Sequence, residues 1–388
     1  MIKSDLALSP LDLKPACERL FEISAHKLAS LQQTSTPGQG TPVFTVDGRY
    51  TSRGWTEWTQ GFQFGSAVLQ FDATGDRATL EVGRAGTRRY MASHVSHVGV
   101  HDHGFNNVST YGNLHRLARE GKIEVDQAEM DFWELALKVS GAVQASRWTE
   151  LPDDLGYIYS FNGPHSLFAD TIRSLRVLAL SHQLGHVLMG ERDRSISLLE
   201  RLCQHAETTS RYNVYFGEGR DIYDVRGRVA HESVFNLRDG SYRNPSTQQG
   251  YSPFSTWTRG LSWVLLGYAE ELEFLQGVAP KDFNGQMRKE AILDRALETV
   301  MATADFYLGQ TPSDGVPYWD TGAPGLAHMG DYLDRPADPF NDYEPVDSSA
   351  AAIAAQGLIR LGNYLGAAGR SEAAARYLSA GLTTARTI

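Results

Sequence analysis

Residues 345–361 read PVDSSAAAIAAQGLIRL. Asp347, Ser348 and Ser349 are residue types whose side chains accept hydrogen bonds from the open N–H groups of a helix start. Behind them, apolar and small residues recur at three- and four-residue spacing, which predicts a helix over 347–366. The alanines leave little side-chain bulk on it. Such a helix lets a neighbour approach closely, so the stretch points to a fold of tightly packed helices.

The same periodicity extends in both directions. It predicts helices over 11–33, 56–72, 76–97, 106–120, 124–146, 166–186, 191–210, 255–276, 286–308 and 370–385. Ser9-Pro10 precedes the first and Gly369 the last, both plausible boundary signals. Turn-rich segments stand at 34–44, 160–165 and 236–250. The last of these, with 214–235 before it, reads as one or two β-hairpins inserted between helices. The stretch 311–346 holds six prolines, many aromatics and no helical period. Long irregular segments in compact domains are usually functional loops. No Pro/Ser-rich linker divides the chain, so a single domain over 1–388 is expected. Helices alternating with short and long connections fit hairpins closed into a ring. Six hairpins need twelve helices and eleven are predicted, so a last helix is expected to be missing.

Composition narrows the function. The chain has 388 residues, 41% hydrophobic and 21% charged, with a formal net charge of −10. That balance argues against a nucleic-acid binder or a binder of acidic membranes. An anionic substrate would need local cations to hold it. The two cysteines, Cys17 and Cys203, form no disulfide framework, which favours a reducing compartment. The opening MIKSDLALSP has no apolar signal core, and no run is long enough to span a membrane. A cytoplasmic protein is expected.

Several stretches could carry chemistry. HVSHVGVHDHGF, residues 94–105, crowds His97, His101 and His103 around Asp102. Three histidines suggest a metal, but no second ligand motif completes a site. The open readings are a metal site, a helix end whose polar groups satisfy the backbone, or a functional carboxylate at Asp102. In FNGPHSLFADTIRSLRVLALS, residues 161–181, Asp170 is expected inside an apolar helix, with Leu167, Ser174 and Val177 on its face. A carboxylate there must be paired, hydrogen-bonded or protonated. It either packs structurally, for example against Arg173, or serves as a general acid. In residues 246–271, Gln249, Tyr251, Trp257, Arg259 and Trp263 cluster about a helix start. Arg259 is a fixed cation whose fork matches two oxygens. The aromatics either stack on sugar or belong to the core. Trp58 and Phe62 lie in RGWTEWTQGFQFG (53–65), and Tyr318, Trp319 and Asp320 in GVPYWDTGAP (315–324).

Taken in order, these motifs resemble the unsaturated glucuronyl hydrolases, glycoside hydrolase family 88. The resemblance rests on Trp58-Thr59-Gln60-Gly61-Phe62 with Gly65, His101-Asp102-His103-Gly104-Phe105, Asp170, His231, and Gln249-Gly250-Tyr251. Trp257 to Trp263, Tyr318-Trp319-Asp320 and Asp347 to Ala355 continue it. It covers about 55–385. Gln63 and Phe161 stand where the family commonly has tryptophan.

The resemblance implies an all-α fold, an (α/α)6 barrel of six helical hairpins, with the active site in loops at one end. It implies removal of a 4,5-unsaturated uronic acid from oligosaccharides made by polysaccharide lyases. Asp170 would be the general acid and then base, and Asp102 the second carboxylate. His231 and Gln249 would orient the donor sugar and Arg259 would meet its oxygens. Trp58 and Trp263 would stack on it, with His101 and Phe161 completing the binding set. No cofactor or metal is implied, and the expected partner is the oligosaccharide, not nucleic acid or membrane. The alternatives are an unsaturated rhamnogalacturonyl hydrolase, an inactive sugar-binding barrel, and, by fold analogy alone, a sugar epimerase using His101, His103 and His231.

Overall fold

The computed structural model describes residues 1–35, 40–54, 58–283 and 288–388. Part of the 34–44 turn, Trp55 and the start of the helix predicted from 286 lie outside them. In chain order the elements begin with α1 (Lys14–Thr34), β1 (Thr41–Val46), β2 (Arg49–Arg53), α2 (Gln60–Thr74), α3 (Arg77–Tyr90) and α4 (Ala92–Val95). Then come α5 (His103–Asn107), α6 (Asn113–Arg119), α7 (Gln127–Ser146), β3 (Trp148–Glu150), β4 (Gly156–Ile158) and β5 (Ser166–Phe168). They are followed by α8 (Thr171–Ser174), α9 (Arg176–Gln183), β6 (Leu188–Met189), β7 (Ser195–Ile196), α10 (Leu198–Tyr212), β8 (Glu232–Phe235) and β9 (Tyr242–Ser246). The last are α11 (Thr258–Gly277), α12 (Lys289–Gln310), α13 (Ser348–Ala367) and α14 (Ser371–Thr387). Every helix read from periodicity has a helical counterpart.

Two of them differ in detail. The stretch 106–120 runs through α5, a wider π turn at Val108–Gly112, and α6. The stretch 166–186 opens as strand β5, and Asp170 stands in the turn before α8 instead of inside a helix. Residues 166–168 are buried as a strand. A short buried apolar run cannot be told from a helix by period alone.

The described residues divide into two compact units. The first comprises Pro15–Arg147 and Ser174–Leu199. Its helix starts follow from sequence. Gly75 ends α2 in the left-handed region at φ 76°, and the Asp76 side chain accepts from Ala78 N to open α3. Asp126 does the same for α7 through Glu129 N. Phe64, Val68 and Phe71 of α2 pack with Leu80, Tyr111, Leu114, Trp133 and Leu137 into one core.

The second unit comprises Met1–Lys14, Trp148–Arg173 and Glu200–Ile388. Asp347 accepts from Ala350 N at 2.8 Å and so caps α13 as its sequence predicts. The small residues of α13 let α11 close in: a Cβ on Gly357 would lie 2.0 Å from Leu265 Cδ2 and 3.0 Å from Leu266 N. The hairpin expected before 250 is β8–β9, and β5 joins it in the order β5-β8-β9. The long segment after α12 is irregular, with a small core of Tyr318, Ala323, Leu326 and Met329. The first residues of the chain are stitched to its last third. Ile2 N donates to Leu308 O at 3.1 Å and Lys3 N to Ser313 O at 2.9 Å. Asp5 N donates to Thr383 Oγ1 at 3.0 Å, and Arg386 Nη1 to the Asp5 carboxylate at 2.9 Å. Among the described residues, no helix is long and apolar enough to cross a membrane.

Candidate active site

In the second unit a strand register brings the key residues together. β5 and β8 pair antiparallel with Phe168 opposite Glu232. One step further, Ala169 N donates to His231 O at 2.8 Å. Asp170 and His231 therefore emerge from the same end of the strand pair. The turn then closes, as Arg173 N donates to Asp170 O at 3.1 Å and α8 begins. Asp170 is 8% exposed and His231 3%.

The His231 ring is oriented from behind. Gln248 N donates to His231 Nδ1 at 3.0 Å. A backbone N–H can only donate, so Nδ1 accepts and the ring proton sits on Nε2. Nε2 lies 3.5 Å from Asp170 Oδ1, an electrostatic approach beyond the ~3.2 Å of a full hydrogen bond. Two aromatics hold the ring: Phe168, with centroids 4.5 Å apart, and Trp257, at 5.0 Å and 73°. Phe161 is 55% exposed and meets Phe168 edge-on at 5.3 Å. Phe168 was not singled out by sequence, and Trp257 was noted without a role. Glu232 is buried next to His231, accepting from Ser166 Oγ and, at 3.0 Å, from Asn162 Nδ2.

Gln249 is exposed on the turn whose Gln248 N–H holds His231. Arg259 lies 5.1 Å above the Trp257 ring, donates to Ser349 Oγ at 3.1 Å and sits 3.7 Å from Asp347 Oδ2. It is thus tied to the N-terminus of α13 with its side chain 31% exposed. Trp263 lies one turn inside α11 and is 8% exposed, a largely buried ring.

Asp320 belongs to this neighbourhood through the backbone. Its Oδ2 accepts from Tyr251 N at 2.9 Å and its Oδ1 from Gly322 N at 2.8 Å. Burial pushes its carboxyl above the usual range, while Ser255 and those two N–H groups pull it down.

The first unit holds Trp58, His101 and Asp102. The main-chain oxygen of Asp102 accepts from Phe105 N and Asn106 N, both at 3.0 Å, and so starts α5. Its side chain is 14% exposed, with Oδ1 3.9 Å from His101 Nε2. His101 is buried. Trp58 packs on Phe62 at 5.2 Å and on Phe105 at 5.9 Å, both edge to face. The other histidines of the cluster are engaged in packing. His103 Nδ1 meets Ser140 Oγ at 2.9 Å and its Nε2 meets His97 O at 2.8 Å. A carbonyl accepts only, so the His103 proton lies on Nε2 and Ser140 donates to Nδ1. Burial lowers its pKa to about 4. His94 Nε2 meets Gln60 Oε1 at 2.6 Å. Among the described residues no three His, Cys, Asp or Glu side chains are grouped to hold a metal ion.

No family model matches the chain. Curated proteins do. It is 26% identical over 326 residues to an unsaturated glucuronyl hydrolase of Bacillus sp. (strain GL1), covering 82% of this chain and 70% of that one. It is 24% identical to an unsaturated glucuronyl hydrolase of Formosa agariphila, covering 79% of this chain and 64% of the relative. An unsaturated chondroitin disaccharide hydrolase of Streptococcus agalactiae is 21% identical over 80% of this chain and 64% of its own. The chain therefore spans about two thirds of the length of these relatives.

Solved structures share the fold. The crystal structure of the Bacillus sp. GL1 unsaturated glucuronyl hydrolase, described as responsible for glycosaminoglycan degradation, matches with a TM-score of 0.63 and 23% identity. The match covers 92% of this chain and 81% of that one. One described as specific for heparin matches at 0.67 with 20% identity over 94% and 82%. The fold is thus the (α/α)6 type expected from the sequence.

Proposed function

We propose that this chain, a member of the unsaturated glucuronyl hydrolase family, removes a 4,5-unsaturated uronic acid from the non-reducing end of oligosaccharides released by polysaccharide lyases. The observation that carries the reading is the pair of Asp170 and His231, with Nε2 3.5 Å from Oδ1 at the end of the β5–β8 register.

The chemistry suits such a pair. The C4=C5 double bond of the substrate is a vinyl ether conjugated with the ring oxygen. Asp170 gives its proton to C4, and positive charge spreads over C5 and the ring oxygen. Water adds at C5 and returns a proton to Asp170. The resulting hemiketal rearranges and releases the neighbouring sugar. Charge develops on carbon and is quenched by water, so no glycosyl-enzyme forms and the carboxylate-separation rule for retaining and inverting enzymes does not apply.

His231 presents its N–H toward the carboxylate and steadies it when ionised. Asp102 acts as the second carboxylate, binding sugar hydroxyls, with His101 beside it. Gln249 and Arg259 meet donor-sugar oxygens, and Arg259 supplies the local cation that a uronate requires against a net charge of −10. Trp58, Phe161 and Trp263 supply apolar faces for the sugar ring. No cofactor is needed. The whole chain acts as one catalytic domain, and we place it in the cytoplasm, with free Cys17 and Cys203 in support.

The test is optical. The unsaturated disaccharide absorbs in the near ultraviolet, and hydration of the double bond bleaches that band. The purified chain should bleach glycosaminoglycan-derived unsaturated disaccharides. Asp170→Asn should lose about a hundredfold or more of that rate. No bleaching by the native chain on glycosaminoglycan- or pectin-derived substrates would overturn the activity. Undiminished bleaching by the variant would overturn the acid.

A further inference from the structure

We propose that Asp320 is a positioning residue: its carboxylate fixes the 247–251 turn and, through that turn, the tautomer and direction of the His231 ring that faces Asp170. The inference rests on the proposed function for its kinetic consequence, but its structural core does not need substrate.

The argument follows one chain of bonds. The turn presents three N–H groups to three side chains. Gln248 N donates to His231 Nδ1 at 3.0 Å, Gly250 N to Thr247 Oγ1 at 2.8 Å, and Tyr251 N to Asp320 Oδ2 at 2.9 Å. Only the last bond reaches a group outside both the turn and the β8 region. Asp320 is fully buried and is itself fixed: Gly322 N donates to its other oxygen at 2.8 Å, and its backbone forms a bridge with Trp257. The segment around it is bonded to the start of α11. Thr321 N donates to Thr256 O and Thr258 N to Trp319 O, both at 3.0 Å. Trp257, between those bonds, packs its ring on His231 at 5.0 Å. Asp320 thus bears on the histidine by two routes, the turn behind it and the indole beside it.

The residue type matters. Two backbone N–H groups converge on two different oxygens, which a carboxylate accepts and a carboxamide cannot. An Asn at this position would set its NH₂ against one of those donors. Space is also limiting: a Cβ on Gly250 would lie 2.8 Å from Thr247 Oγ1, 3.0 Å from Asp320 Oδ2 and 3.2 Å from Trp257 Cβ. The turn and the carboxylate are packed against each other with no slack.

When Gln248 N–H leaves Nδ1, the donor that keeps a proton off that nitrogen is lost, and the fraction of rings that turn an acceptor nitrogen toward Asp170 rises. The experiment is ¹⁵N NMR of histidine-labelled protein, with the His231 signal identified by its loss in His231→Gln. The native chain should show a protonated Nε2 and a bare Nδ1. Asp320→Asn should average the two nitrogens by exchange and lower kcat about tenfold or more, with KM changed less than about threefold. Gly250→Ala keeps the carboxylate but crowds it, and should shift the same signals. It decides the matter if Asp320→Asn does not fold. A folded Asp320→Asn that keeps the single Nε2–H tautomer, or turns over within about twofold of native, overturns the proposal. If the native chain bleaches no unsaturated uronide, the proposed function falls, and the tautomer measurement alone decides on Asp320.

Discussion

His103 sits in the middle of the histidine cluster, yet both of its ring nitrogens are occupied by Ser140 and by the His97 carbonyl. It is 1% exposed, and His97, His94 and Arg147 surround it with positive or potentially positive charge. Its pKa in the folded chain is about 4, against 6.5 for an ordinary histidine. Below pH 6.5 the unfolded chain binds a proton at this ring that the folded chain refuses until about 4. Stability present above that window is lost as pH falls through it, by about 3 kcal/mol at its foot. Urea midpoints at pH 7, 5.5 and 4.5 should fall steeply for the native chain and less steeply for His103→Gln. Parallel falls would remove His103 as the cause. The same residue shows what sequence could and could not say. A dense histidine cluster was legible, and weighting Asp102 over the histidines followed from motif order. That the proton of His103 is held by a backbone carbonyl six residues away was not legible, because no side-chain pattern encodes it.

Helices were the most legible elements, because their apolar stripes and, at α13, the cap at Asp347 are written locally. The strand leading to Asp170 was not. Leu167 is buried on a strand, and so reads as part of the face of a helix that begins four residues later. The function of the Gln249 turn was half legible. Its side chains could be noted, while its backbone bonds to His231 and Asp320 join residues 17 and 69 positions apart. Close packing of elements yields a further expectation. Gly104 is the second residue of α5, and a Cβ there would stand 2.1 Å from Ser174 O and 2.6 Å from Ser174 Cα. Backbone cannot rotate aside as a side chain can. Gly104→Ala should cost about 2–3 kcal/mol in urea unfolding and should disturb Asp102, two residues earlier. A loss below about 0.5 kcal/mol would mean that α5 can shift without penalty.

Across the whole chain the covalent frame is plain. Cys17 is exposed, Cys203 is buried on α10, and neither forms a disulfide. Burial pushes the Cys203 thiol up, with Glu271 and Glu200 adding to the effect. A thiol reagent should therefore label one cysteine in the native chain and two in denaturant, and a reductant should leave the melting temperature unchanged. Two labelled thiols in the native chain, or a drop on reduction, would contradict this frame.

The stitching of Met1–Asp5 to Leu308, Ser313, Thr383 and Arg386 also sets a timetable. Residues 1–5 leave the ribosome some three hundred residues or more before their partners do. The unit built from Pro15–Arg147 and Ser174–Leu199 has its residues in hand once Leu199 is made, with Glu200–Ile388 of the other unit still to come. It can close while the other is still being made. Until those later residues arrive, the segment Met1–Asp5 lacks its partners, so a chaperone acting on the nascent protein would engage that segment throughout the interval.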